Sequence, residues 1–161
     1  MSFKTRIMVA ASAAVLSLTA LPAFAEGIEV HDAYARASSM MSSSGAAFMV
    51  IHNHDGPDDR LVDVRSDVAD KVELHTHRED DNGVMRMIHV EEGFALPRDG
   101  EIVLKRGGHH LMFFGIKEPF EHGDIIPLTL VFDKAGEVQV EVPVDLERTP
   151  MHGQMEHKQG D

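Results

Sequence analysis

The sequence contains no cysteine. That absence removes disulfide stapling, thiolate metal ligation and thiol redox chemistry together, so stability has to come from the core alone. It also excludes a blue-copper electron-transfer centre, which needs a cysteine thiolate. Basic residues are few: 15 Lys and Arg stand against 27 Asp and Glu. A surface so negative repels nucleic acid and anionic lipid and favours cations or basic partner surfaces. Long apolar runs are confined to the first residues. No later stretch sustains helical periodicity well enough to displace a strand reading, and no internal repeat is visible.

What is present begins with an export signal. Lys4 and Arg6 give a basic start, residues 7–21 form an apolar run, and Ala23-Phe24-Ala25 supplies the small-x-small pattern of a cleavage site. The run is shorter than the roughly 20 residues that span a bilayer, so residues 1–25 read as a signal cleaved after Ala25. No membrane insertion is expected after its removal. The remaining chain keeps 13 basic and 27 acidic residues, a net charge of about −14 with neutral histidines. Its length suits one domain, residues 26–149, followed by a tail, residues 150–161, without apolar periodicity and expected to be flexible.

Short strand-like runs follow one another through the domain. "GAAFMVIHN" (45–53) is a compact apolar run, and Asn53 to Asp59 turns the chain by its Gly, Pro and Asp content. "RLVDVRS", "DKVELHTH", "VMRMIHV" and "EIVLKRG" continue the series, "HHLMFFGI" follows Gly107-Gly108, and "IIPLTLVF" with "EVQVEVPVDL" closes it as a hairpin. Val138, Val140, Val142 and Val144 alternate with polar or small residues, so one face of the last strand is buried, and Pro143 suits an edge or a bulge. About eight or nine short strands with Gly, Asn and Asp turns predict an all-β antiparallel sandwich or Greek-key barrel.

The residues able to carry chemistry gather at strand ends. All eleven histidines and eight of the ten methionines lie after Ala25. On a strand, residues two apart share a face, which pairs His75 with His77, Met85 with Met87, and His110 with Met112. Imidazole with thioether suits Cu(I), whereas Zn(II) sites rest on His, Cys and carboxylate. A thioether has no proton to lose and cannot be capped by a disulfide, so such a site suits an oxidising compartment. Turn geometry bears on convergence. A two-residue Asn82-Gly83 turn would separate the donors, whereas a three-residue Asp81-Asn82-Gly83 loop with a left-handed glycine opposes His77 to Met87 and His75 to His89. The three-residue register is expected, with Met85 opposite Glu79.

Blander readings apply to single residues. Met49, Phe113 and Phe114 read as core filler. His31, His52, His54, His89, His109 and His122 read as surface or satisfied polar groups, because none has a spacing argument of its own. The tail carries Met151, His152, Met155 and His157 within seven residues, a candidate second site with Cu(II) as a further candidate ion, set against a plain polar end.

The blocks "VELHTH", "DNGVMRM", "ALPRDGEIVLKRGGHHLMFFGI" and "IPLTLVFDKAGEVQVEVPV", in this order over roughly residues 28–145, resemble the periplasmic PCu(A)C copper chaperone family. The resemblance implies a cupredoxin-like β-barrel or sandwich, Cu(I) held by His and Met, and delivery of copper to the Cu(A) centre of a respiratory cytochrome oxidase. The family's His, Met, His-x-Met motif falls on His75, Met87, His110 and Met112. Eleven residues separate His75 from Met87 and twenty-two separate Met87 from His110, one more in each interval than the family pattern. Met85, His77 and His109 therefore stand as alternates. The expectation is a monomeric periplasmic copper carrier that is not an enzyme, with an oxidase subunit as acceptor. Two rivals are a cupin-type metalloenzyme, suggested by "HTHRE" (75–79), and a β-sandwich interaction module without metal.

Overall fold

The structure, a computed structural model, describes residues 27–37, 39 and 41–148. The expected signal (1–25) and the candidate tail site (Met151, His152, Met155 and His157) lie outside the described residues. Ten strands form: β1 (Ile28–Ala37), β2 (Ser44–Asn53), β3 (Asp59–Arg65), β4 (Ala69–Glu79), β5 (Met85–His89), β6 (Phe94–Leu96), β7 (Glu101–Leu104), β8 (His110–Ile116), β9 (Ile125–Phe132) and β10 (Gly136–Pro143). That is slightly more than the eight or nine expected, because three residues around Ala95 pair with β3 and count as a strand of their own. Among the described residues there is no helix, hence none long and apolar enough to cross a membrane.

Two antiparallel sheets pack face to face. One has the order β1-β2-β8-β4-β5 with β7 also on β2, and the other the order β10-β9-β3-β6. Period-two alternation decides which side chains lie between them. Ala47, Met49 and Ile51 of β2, Val72 and Leu74 of β4, and Leu111 and Phe113 of β8 meet Leu61 and Val64 of β3 and Ile126, Leu128, Leu130 and Phe132 of β9. Val138 and Val142 close the core from β10, an edge strand that ends at Pro143 as its missing N–H allows.

The same parity puts the other set of residues on the outer face of the larger sheet. With Leu111 and Phe113 inside, His110, Met112 and Phe114 must face out; Phe114 is therefore not core filler, and it stands half-buried against the His75 ring. The break between β7 and β8 positions this strand. Residues 101–104 and then 111–114 pair with successive parts of β2, and the chain between them turns at Lys105 to Gly108, with Gly107 at φ 77°.

Candidate metal centre

Three strands bring the site together. β4 runs antiparallel to β8 with His75 paired to His110, and antiparallel to β5 with His75 paired to His89, His77 to Met87 and Glu79 to Met85. The β4–β5 register is the one expected from a three-residue loop. Asp80 and Val84 close the turn, Gly83 sits at φ 77°, and the Asp80 carboxylate accepts from the amides of Asn82 and Val84 and from Arg86. Arg86, ahead of the two backbone amides, holds the Asp80 carboxyl below its ordinary range.

At the centre lie three imidazoles. The His75 and His110 rings are 6.0 Å apart and those of His77 and His110 are 5.1 Å apart, between Phe114 at 5.6 Å from His75 and Phe48 at 6.3 Å from His110. Packing against these rings leaves His75 and His110 only 7% and 3% exposed, although they sit on an outer sheet face.

Hydrogen bonds set the tautomers of two rings. His75 Nε2–H donates to the Glu73 carboxylate at 3.0 Å, leaving Nδ1 with its lone pair. His110 Nδ1–H donates to the Gly108 carbonyl at 2.9 Å, leaving Nε2 with its lone pair. Those two nitrogens, and Nδ1 of His77, are buried without a hydrogen-bond partner. A buried polar atom left unpaired costs about 1–3 kcal/mol, so three together within one ring cluster call for a ligand. Rings anchored on one nitrogen by a carboxylate or carbonyl and bare on the other are the usual arrangement of metal-binding histidines.

Electrostatics keep the bare nitrogen of His110 available. Burial, against the Gly108 carbonyl and helped by His77, His75 and His109, holds His110 below its ordinary value and therefore neutral. Glu73 is held below the usual carboxylate range by Lys71 at 2.9 Å, then by His75, with His89 contributing. It remains an anion and so orients His75.

Methionines share this sheet face with the rings. Met87 stands opposite His77, 45% exposed, and Met112 is half-buried two residues along β8 from His110, opposite Glu73. Met85 lies one step farther toward the turn, opposite Glu79, and is more exposed than Met87. His109 does not join the cluster. It turns to the other side of the sheet, where Nδ1 meets Thr76 Oγ1 at 3.0 Å and the ring packs on Phe94 at 4.2 Å. Sequence reasoning overlooked Glu73, whose signal was its place two residues before His75 on the same strand face. His89 stands opposite His75, as the expected register requires, with its ring 5.7 Å away.

Residues 28–144 match the family described as "Putative lipoprotein LpqE-like". The chain is 32% identical over 120 residues to "Putative lipoprotein Lxx21020" of Leifsonia xyli subsp. xyli, covering 74% of this chain and 70% of that protein. Among solved structures it is similar to the copper-bound PCuAC domain from PmoF2, at TM-score 0.60 and 24% identity over 74% of this chain and 92% of that one. It is also similar to the solution structure of CuI-DR1885 from Deinococcus radiodurans, at TM-score 0.55 and 25% identity over 77% and 83% of the two chains. What is shared is a cupredoxin-like β-sandwich built, here, without a cysteine.

Proposed function

Because the chain belongs to the LpqE-like family, of the PCu(A)C type, we propose that it is a copper carrier that binds Cu(I) through His75, His110, Met87 and Met112 and hands it to an acceptor protein. The observation that carries this reading is the trio of bare, buried imidazole nitrogens on His75, His77 and His110 beside two thioether side chains. His77 enters as a further nitrogen donor. Soft sulfur with neutral imidazole favours Cu(I) over Zn(II), and no anionic donor among the four fixes Cu(II). Glu73 orients one ring and Gly108 the other, so the nitrogens need not reorganise as the ion arrives.

Release matters as much as capture. A set of neutral ligands, one of them an exposed methionine, can be displaced stepwise by an acceptor with thiolates, and a respiratory oxidase copper centre has that chemistry. The chain works as a carrier and not as a catalyst in this reading. Residues 1–25 direct it to the periplasm, where a cysteine-free site is not lost to oxidation. The acidic surface raises the local cation concentration and steers a basic acceptor face, an effect that salt screens. One copy of the chain holds every proposed donor, consistent with a monomer.

The test is an anaerobic Cu(I) titration against a competing chelator, with X-ray absorption counting sulfur neighbours, on the wild type and on Met87→Ala/Met112→Ala. Weaker binding and loss of sulfur scattering are expected in the variant. Unchanged affinity and an unchanged sulfur count would remove the assignment.

A further inference from the structure

A second group of metal-ligating side chains lies on the same outer face, at the far end of β1 and β2. Glu29 and His31 share one face of β1, Glu29 pairs with His52 of β2, and His54 follows two residues on. His31 Nε2 is 3.2 Å and His54 Nε2 is 3.5 Å from the same oxygen, Oε2 of Glu29, and one donor atom from each of the three residues lies within 4.8 Å of the other two. The His52 ring stands between them, 5.2 Å from His31 and 5.6 Å from His54, with Nδ1 turned toward Glu101 at 3.5 Å.

The backbone beneath is fixed. The His54 amide donates to the Gly27 carbonyl at 2.6 Å, an approach so close that a Cβ on Gly27 would lie 2.3 Å from the His54 carbonyl oxygen. Asn53, 1% exposed, ties the following loop by donating Nδ2–H to the carbonyls of Pro57 and Pro97. His54 is thus held on a rigid rim, while its side chain and those of Glu29 and His31 are more than half exposed and free to close on an ion.

We propose that Glu29, His31 and His54, with His52 alongside, form a second metal site that takes a divalent ion of the Cu(II) or Zn(II) class. Two imidazole nitrogens and a carboxylate oxygen with no sulfur suit a borderline divalent ion, and first-row affinities rise to Cu(II). Ligand bonds of about 2.0–2.2 Å require the donor atoms to draw together only slightly, which exposed side chains do by small rotations. The site is separate from the soft one. Phe48, which packs on His110, is four residues from His52 along β2, about 13 Å at the strand rise. The proposal therefore stands whether or not the Cu(I) reading holds.

The experiment adds substoichiometric Cu(II) to the full chain and maps paramagnetic broadening of amide signals, with Zn(II)-dependent thermal stabilisation as a diamagnetic check. Broadening is expected first at residues 27–31 and 52–54, and both it and the Zn(II) stabilisation are expected to vanish in His31→Ala/His54→Ala while anaerobic Cu(I) affinity stays within twofold of wild type. Glu29→Gln should weaken Cu(II) binding without abolishing it. Broadening confined to residues 151–157 or to the neighbourhood of His110, or broadening unchanged in the double variant, would overturn the proposal.

Discussion

Glu73→Gln tests whether a carboxylate that touches no copper nonetheless sets copper affinity. The wild-type carboxylate accepts from His75 Nε2–H at 3.0 Å and is 17% exposed, so water only partly screens it. A cation on the bare Nδ1 across the ring would be about 7 Å from the anion, and Coulomb's law with an effective dielectric constant of about 20 to 80 gives roughly 0.6–2.4 kcal/mol. Replacing a charge-assisted hydrogen bond by a neutral one loses about a further half to one kcal/mol. The sum, about 1.1–3.4 kcal/mol, corresponds to roughly a 6-fold to 300-fold loss of Cu(I) affinity, which brackets the roughly 10-fold to 100-fold typical of residues that orient metal-bound histidines. The substituted amide can also present its NH2 to His75 and drive the proton onto Nδ1, which blocks the donor outright. The assay is chelator competition under anaerobic conditions at neutral pH, with His75→Ala as reference. If Glu73→Gln binds within twofold of wild type while His75→Ala loses binding, the carboxylate does not orient the ring and the tautomer argument is wrong.

Three further outcomes concern the scaffold. Phe113 is fully buried between the sheets, so Phe113→Ala is expected to cost about 3–5 kcal/mol, read from the urea midpoint. Two glycines at positive φ should respond differently to alanine. At Gly83 the nearest atom to an added Cβ is 3.5 Å away and about 1 kcal/mol is expected, whereas at Gly93 the Cβ would meet the Leu61 carbonyl oxygen at 2.1 Å, and the loss in the same melts should exceed about 2 kcal/mol. Acid should weaken the metal-free protein through His110. Burial holds its folded value below the ordinary 6.5, so the unfolded chain takes up the proton first. Its contribution is complete above pH 6.5 and is lost as pH falls toward the lowered folded value. Urea unfolding over this range should show a slope that His110→Gln flattens; an equal slope in both would place the titration elsewhere.

Much of the sandwich was legible because strand periodicity is local. Val138, Val142 and Val144 face inward as their alternation requires, and the Asp81-Asn82-Gly83 loop length settled which residues oppose across β4 and β5. The Phe114 error was avoidable from the same rule. If His110 and Met112 share an outward face, Phe114 two residues on shares it too, and the apolar look of "LMFF" misled because parity, not hydrophobicity, decides which side a strand residue takes. The tautomers were out of reach from sequence alone. They depend on the Gly108 carbonyl, which a loop between two strands aims at His110, and on the nonlocal pairing that seats His110 beside His75.

The histidines read as isolated surface residues show the limit most clearly. His31 has no metal-ligating partner two residues away other than Glu29, and His52 and His54 form one pair among many polar neighbours, so spacing on either strand alone points nowhere. The register of β1 on β2, which sets Glu29 opposite His52 and His31 opposite Val50, is what brings the His31 ring edge-on to His52, whose ring stacks in turn on His54. The consequence is chemical. One sheet face carries a nitrogen–sulfur cluster at the β8–β4–β5 end and a nitrogen–oxygen cluster at the β1–β2 end, with Phe48 and Tyr34, rings 5.0 Å apart, between them. On the two proposed assignments, ligand softness would sort ions by oxidation state across a single surface, Cu(I) to one end and divalent ions to the other. A chain that met both forms of copper could hold each without either displacing the other.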